Sequence, residues 1–228
     1  MAKGDGVNLD VQAIYDRRYQ GDQAFRARMW VVLCQEFFQS YVPPNISVLE
    51  LGAAHCGFIN SIRAARKTVV DLNPDVRRFA GPDVQTILSS VTDLSAVPAG
   101  SMDVVFASNL FEHLSRADIV QTVRECRRVL RPSGSLLLLQ PNIRLCGRDY
   151  WMFFDHITPL DERSMAEALE TNGFAVVQTI PAFLPYTTKG RLPKSVALLR
   201  AYLRMPLLWR FVGGQFFLQA RPRGECPR

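Results

Sequence analysis

Two acids bracket a run of small residues near the start of the chain, and their spacing suits the gripping of an adenosine. The run Val48-Leu49-Glu50-Leu51-Gly52-Ala53-Ala54-His55-Cys56-Gly57-Phe58 reads as a strand, a tight turn and a helix start. Small residues let the backbone approach a ligand closely, and a helix start offers free N–H groups. Asp71 lies 19 residues after Gly52, at the end of the next apolar run. An acid there can accept hydrogen bonds from both hydroxyls of a ribose. Two cofactor classes fit. Gly52-x-Ala54-x-x-Gly57 is a variant of the dinucleotide fingerprint with its middle glycine replaced, which would suit an NAD(P)-dependent oxidoreductase. Glu50 argues against that, because a carboxylate beside the turn repels a pyrophosphate. The same carboxylate suits a cofactor that carries an ammonium and a sulfonium, so the local charge favours S-adenosylmethionine.

The chain holds three histidines, His55, His113 and His156. His55 belongs to the cofactor turn. His113 and His156 follow the fourth and fifth apolar runs, at the end of the fold where ligands bind, and are the candidates to touch the acceptor or act as a general base. Each also has a structural alternative. Glu112-His113-Leu114 can be a simple helix start, and His156 can tether the helix that follows. Asp155 would orient the His156 ring only through a bend. Asn109, Tyr150, Trp151, Phe153 and Phe154 either shape the pocket or fill the core. The cysteines, Cys34, Cys56, Cys126, Cys146 and Cys226, are odd in number and form no Cys-x-x-Cys pair. Neither a disulfide framework nor a metal site is expected from them.

These residues need a scaffold that places strand ends side by side. Short apolar runs at 46–51, 68–72, 84–88, 103–107, 135–139, 174–179 and 215–220 alternate with helical patterns. The clearest helix is 116–130, with Ile119, Val120, Val123, Cys126 and Leu130 on one face. Phe58 to Arg66 can form another. A further helix is predicted to start at Thr158, with Pro159 in its first turn and Gly173 closing it. The first 45 residues read as helical, with Val11, Ile14 and Tyr15 on one short face and a longer pattern over 22–41. A basic, apolar stretch over 191–211 is helical in part and broken by Pro206. Such alternation gives an α/β fold, a parallel sheet with helices on both faces.

In order along the chain, these segments resemble the class I S-adenosylmethionine-dependent methyltransferases, close to the small-molecule enzymes with a Glu-His-Leu segment after the fourth strand. Glu50-Leu51-Gly52 is similar to the first motif, Val70-Asp71-Leu72-Asn73-Pro74 to the ribose-binding strand end, and Val91-Thr92-Asp93-Leu94 to the segment whose acid contacts the adenine amino group. Asp103 to Leu114 resembles the fourth strand and its loop, and Arg127 to Gly134 the approach to the fifth. The resemblance implies a Rossmann-like doubly wound, mostly parallel seven-stranded sheet with an antiparallel last strand. It implies Glu50, Gly52, Ala54, Gly57, Asp71, Leu72, Thr92, Asp93 and Asn109 as cofactor residues. The family usually has Gly-x-Gly-x-Gly after the acid, whereas Ala54 and Cys56 replace the second and third glycines here. Cys56 is expected to crowd the methionine part of the cofactor, and a non-catalytic binding relative is the alternative this raises.

The resemblance further implies a lid from residues 1–45, a cofactor-binding core over 46–180 and a second lid segment with the final strand over 181–228. A hydroxyl on a sugar, glycolipid precursor or similar small molecule is the expected acceptor. The net charge of +6 is spread without a long basic block, so no nucleic-acid partner is expected, and neither base-methylating motif type is present, although Cys226-Pro227 occurs. The apolar and arginine-bearing stretch 197–211 leaves weak contact with a membrane surface as an expectation. No run is long enough to span a bilayer, and the polar first six residues lack a signal region, so a cytoplasmic location is expected.

Overall fold

The computed structural model describes residues 23–186 and 195–224. The predicted apolar face at Val11, Ile14 and Tyr15, and also Arg191 and Cys226-Pro227, lie outside the described residues. The chain runs through α1 (Gln23–Glu36), β1 (Ser47–Leu51), α2 (Gly57–Ser61), β2 (Arg66–Asp71), α3 (Val76–Phe79), β3 (Val84–Leu88) and β4 (Met102–Ser108). It continues with α4 (Arg116–Val129), β5 (Leu130–Pro141), α5 (Ile143–Cys146), α6 (Glu162–Thr171), β6 (Phe174–Ile180), α7 (Val196–Leu203), α8 (Pro206–Val212) and β7 (Gln215–Pro222). The seven strands form one sheet in the order β3-β2-β1-β4-β5-β7-β6, with β7 antiparallel to both of its neighbours. Strand order reverses between β1 and β4, the place where sheets of this type open a ligand crevice.

Alternation along each strand builds two cores. Leu49, Leu51, Val105, Ala107, Leu136 and Leu138 point to one face and meet Ile119, Val123 and Cys126 of α4 and Met165 and Leu169 of α6. Val48, Val69, Val104, Phe106, Leu137 and Leu139 point to the other and meet Val32, Leu33 and Cys34 of α1, Phe58 and Ile59 of α2 and Leu203 of α7. Burial of one such side chain contributes about 1.5–3 kcal/mol. Covering both faces is what makes the central runs continuous rather than alternating in polarity. At the entry end, Asp103 accepts from the Ser47 backbone N–H at 2.9 Å and the Ser47 hydroxyl at 2.7 Å, and pairs with Arg131. This ties the starts of β1, β4 and β5 together.

Two helix boundaries differ from the sequence expectation. The helix expected over 58–66 ends at Ser61, because Ile62 turns extended (φ −76°, ψ 142°) and buries its side chain. The helix expected from Thr158 starts instead after Asp161. The Thr158 hydroxyl donates to the Leu114 carbonyl at 2.6 Å, and its carbonyl accepts from the Tyr150 hydroxyl, so Thr158 docks a loop instead of capping. Asp161 takes over as cap, accepting from the N–H groups of Arg163 and Ser164, while the Ser164 hydroxyl accepts from the Asp161 N–H. Gly173 (φ +88°) closes that helix as expected, and Pro206 opens α8 rather than ending α7. Replacing Asp161 with Ala removes the cap, and urea unfolding is expected to register a loss of about 1 kcal/mol with an unchanged slope.

Candidate functional site

The residues over 50–57 form a turn of left-handed backbone. Gly52, Ala54 and Cys56 have φ of +64°, +47° and +56°. Gly52 also has no room for a side chain, since a Cβ there would stand 2.8 Å from Leu110 Cδ1. Gly57 is constrained by packing instead, because its Cβ would fall 2.2 Å from the Trp30 indole of α1. The Cys56 thiol is fully buried and faces the Val76 carbonyl at 3.8 Å, beneath α3. That placement corrects the expectation that it crowds the cofactor. The side chain drops into the core because its residue is the left-handed one that begins α2.

The two acids hold this turn from opposite sides. Asp71, at the end of β2, accepts from the Ala54 N–H at 3.0 Å and from the Asn73 N–H at 2.8 Å. A carboxylate has about four lone-pair directions, so these two bonds leave capacity for ligand hydroxyls. Glu50 shares its sheet face with Val48, which aims it at α2, where it accepts from the Ile59 N–H at 3.0 Å. It is 4% exposed. Burial raises its pKa to about 8, the Ile59 N–H opposes that rise, and the nearby Asp71 charge adds to it.

The remaining candidates occupy the same rim of the sheet. Leu72 follows Asp71 and is 72% exposed. Thr92 is half-buried with its hydroxyl 2.7 Å from that of Ser90. Asp93 is exposed and accepts from the Ser95 N–H, and hydrogen bonding from Ser95 holds its carboxyl below the ordinary range. Asn109 follows β4 with left-handed φ of +49°, and its side-chain oxygen accepts from Gln215 of β7 at 3.2 Å. His55 packs against Phe79 at 4.5 Å between ring centroids. Tyr150 is core, while Trp151 and Phe154 are exposed.

His113 and His156, which lie far apart in sequence, come together with ring centroids 4.8 Å apart. Asp155 meets His113: its backbone carbonyl lies 3.0 Å and its carboxylate 3.3 Å from His113 Nδ1. His156 faces Glu112 from the other side, 4.0 Å from Nε2 to Oε1. Glu112, 1% exposed, also anchors the loop through its carbonyl, which accepts from the N–H groups of Ile157 and Thr158. Sequence reasoning did not single out Glu112 or Gln140. Gln140, fully buried on β5, accepts from the N–H groups of Leu110 and Phe111 and so shapes the loop that carries Glu112 and His113. The available signal was a polar residue inside each of two apolar runs, which must be partnered when buried. A separate open groove of about 720 Å³, lined by Arg124, Arg127, Arg128, Thr171, Asn172 and Gly173, lies at the opposite end of the sheet and includes none of these residues.

Residues 49–138 match the family described as "Methyltransferase domain". A probable S-adenosylmethionine-dependent methyltransferase of Mycolicibacterium smegmatis is 41% identical over 144 residues, covering 60% of this chain and 54% of the relative. A ubiquinone biosynthesis O-methyltransferase of Xanthomonas axonopodis pv. citri is 32% identical over 106 residues, covering 42% of this chain and 43% of that protein. The chain thus spans about half the length of these curated relatives. A methyltransferase of Archaeoglobus fulgidus superposes with a TM-score of 0.66 at 17% identity, covering 93% of this chain and 100% of that one. A Haloferax volcanii complex with the Trm112 methyltransferase activator gives 0.68 at 16% identity, with 96% and 100% covered. At these identities the structural likeness establishes the fold.

The Glu50 environment has a measurable consequence. With its folded pKa raised to about 8 from an ordinary 4.5, the folded chain keeps a proton that the unfolded chain releases between those values. Its stabilising contribution is therefore whole below the lower value and declines as pH rises through the upper one. In the ligand-free protein, Glu50→Gln is expected to flatten the fall in Tm between those two pH values. A variant with the same slope as the parent would show that Glu50 is ionised in the folded state.

Proposed function

We propose that this chain, which carries a class I S-adenosylmethionine-dependent methyltransferase domain, transfers a methyl group to an oxygen of a small molecule. The observation that carries this reading is the left-handed turn held between Glu50 and Asp71 at the rim of β1 and β2. S-adenosylmethionine is the cofactor of this family, which sets aside the nicotinamide alternative. In this reading Asp71 accepts the ribose hydroxyls, and the backbone at Gly52 and Ala54 lies against the methionine part. Gly57 lets α2 begin close beneath it. Leu72 covers one adenine face, Thr92 and Asp93 meet its edge, and Asn109 borders the methyl group. Glu50 gives up its proton to the positive field of the bound cofactor.

The sulfonium supplies the reactivity, so the protein's task is to align acceptor, methyl carbon and sulfur. An alcohol is a poor nucleophile until its proton is drawn away, and the Glu112, His113 and His156 cluster stands where that proton would leave. The ubiquinone biosynthesis O-methyltransferases among the relatives support an oxygen acceptor. A hydroxyl on a sugar, glycolipid precursor or similar metabolite is the class we favour. The segments on either side of the core form the acceptor cover: α1 and α7 are joined by Glu36 to Arg200 and Arg204 at 3.5 and 3.3 Å. Leu207 and Phe211 of α8 are 75% and 84% exposed and flanked by Arg204 and Arg210, which supports weak contact with a lipid surface. Among the described residues, no helix is long and apolar enough to cross a membrane.

Calorimetry with S-adenosylhomocysteine tests the cofactor site. The parent is expected to bind, and Asp71→Ala to weaken binding by roughly 10- to 100-fold, the loss of one or two hydrogen bonds to a charged acceptor. Absence of heat with the folded parent would overturn the assignment. In methyl transfer to a panel of hydroxylated acceptors, His113→Gln is expected to lower kcat by about 100-fold with cofactor affinity unchanged.

A further inference from the structure

Glu112, His113 and His156 are of the residue types that ligate a metal ion, and their ligating atoms all lie within 4.8 Å of one another. His113 Nε2 is 3.9 Å and His156 Nε2 4.0 Å from the same oxygen, Glu112 Oε1. Both distances are too long for direct hydrogen bonds, and both lie in the range that separates two ligand atoms of one ion. Metal bonds to imidazole and carboxylate run about 2.0–2.2 Å, so two ligand atoms of one ion stand at most about 4.4 Å apart, and 3.9 and 4.0 Å fall within that reach. The surroundings fit as well. His113 directs Nδ1 at Asp155, the carboxylate partner that fixes the tautomer and leaves Nε2 with its lone pair for an ion. The Glu112 carbonyl pins the loop bearing His156 through Ile157 and Thr158, so the two loops are held at a set spacing. Tyr150 and Phe153 flank the His156 ring at 4.9 and 5.3 Å, giving the site an apolar wall.

We propose that Glu112 Oε1, His113 Nε2 and His156 Nε2 bind one divalent transition-metal ion. Two imidazoles and one carboxylate favour an ion of the zinc class over magnesium or calcium. The side chains of Glu112 and His156 are 1% and 3% exposed and that of His113 is 18%, so the remaining coordination position opens on the His113 side. An acceptor hydroxyl bound there would lose its proton to solvent more readily, as water does on zinc. That role rests on the methyl-transfer reading above, whereas the binding of the ion does not.

The test uses the full chain after treatment with a chelator, titrated with Co(II) as a spectroscopic probe and with Zn(II) by calorimetry. One equivalent of Co(II) with visible ligand-field absorption, displaced by Zn(II), is expected. Glu112→Gln and His113→Gln should each weaken binding by about tenfold or more. Circular dichroism checks folding, and His113→Gln, at the most open of the three positions, carries the test if the buried variant does not fold. Neither absorption nor heat with the folded parent, or binding undiminished in the folded variants, would overturn the proposal. S-adenosylhomocysteine calorimetry on the same samples separates the two readings: cofactor binding without Co(II) binding refutes the ion alone, and Co(II) binding without cofactor binding refutes the cofactor site alone.

Discussion

Both faces of the central strands β1, β4 and β5 are buried, and this constraint governs the rest of the molecule. A strand sealed above and below has no place for an unpaired polar group except at its ends. Polar groups that could meet a ligand therefore gather at the strand ends, beside the place where strand order reverses between β1 and β4. Glu50 is a buried acid within a strand, and its position is revealing. It sits one residue before the strand ends, is aimed by alternation at the start of α2, and is held by the Ile59 N–H. A charged carboxylate is costly in that buried place, which is why its pKa is raised.

The rim joins two different kinds of precision. Beside Glu50 and Asp71, backbone conformation does the work: three left-handed residues in five positions, one glycine kept small by Leu110 and another by Trp30. Around the two histidines, side chains do it: Gln140 shapes one loop, the Glu112 carbonyl fastens the next, and Asp155 meets His113. The first kind tolerates little substitution because a side chain at Gly52 or Gly57 would collide with Leu110 or Trp30. The second depends on groups from three separate segments meeting, which is where related enzymes of one fold can diverge in acceptor.

Much of this was readable in the sequence. All seven strands lie where short apolar runs were read, and the signature is clearest for β1, β4 and β5, whose central residues are covered on both faces. The turn over 52–56 was readable as a turn because small residues cluster there after Glu50, and the structure gives it left-handed backbone. Helix ends were less legible. Thr158-Pro159 and Asp161 offer equally good caps in one dimension, and only the demand of the Leu114 carbonyl for a donor decides between them. The acceptor cluster was half legible. The two histidines stood out by type, but Asp155 could not be assigned to His113 rather than His156, since that depends on how two loops 40 residues apart fold over one another. The direction of the Cys56 thiol depended in the same way on a single left-handed residue.

The last strand enters the sheet between β5 and β6 rather than at an edge. While the chain emerges from the ribosome, β6 is complete some 35 residues before its only sheet neighbour exists. Until then β5 has one bare edge and β6 is an isolated ribbon, and neither Phe216 nor Phe217 is there to seal the two cores. Assembly of this half of the molecule is thus a late event driven by a distant pairing, the slow and aggregation-exposed kind of step. A ribosome-stalled chain lacking β7 would present an open β5 edge at Gln140, the residue that shapes the loop of Glu112 and His113, so this part of the rim gains its flanking strand only when β7 slots in.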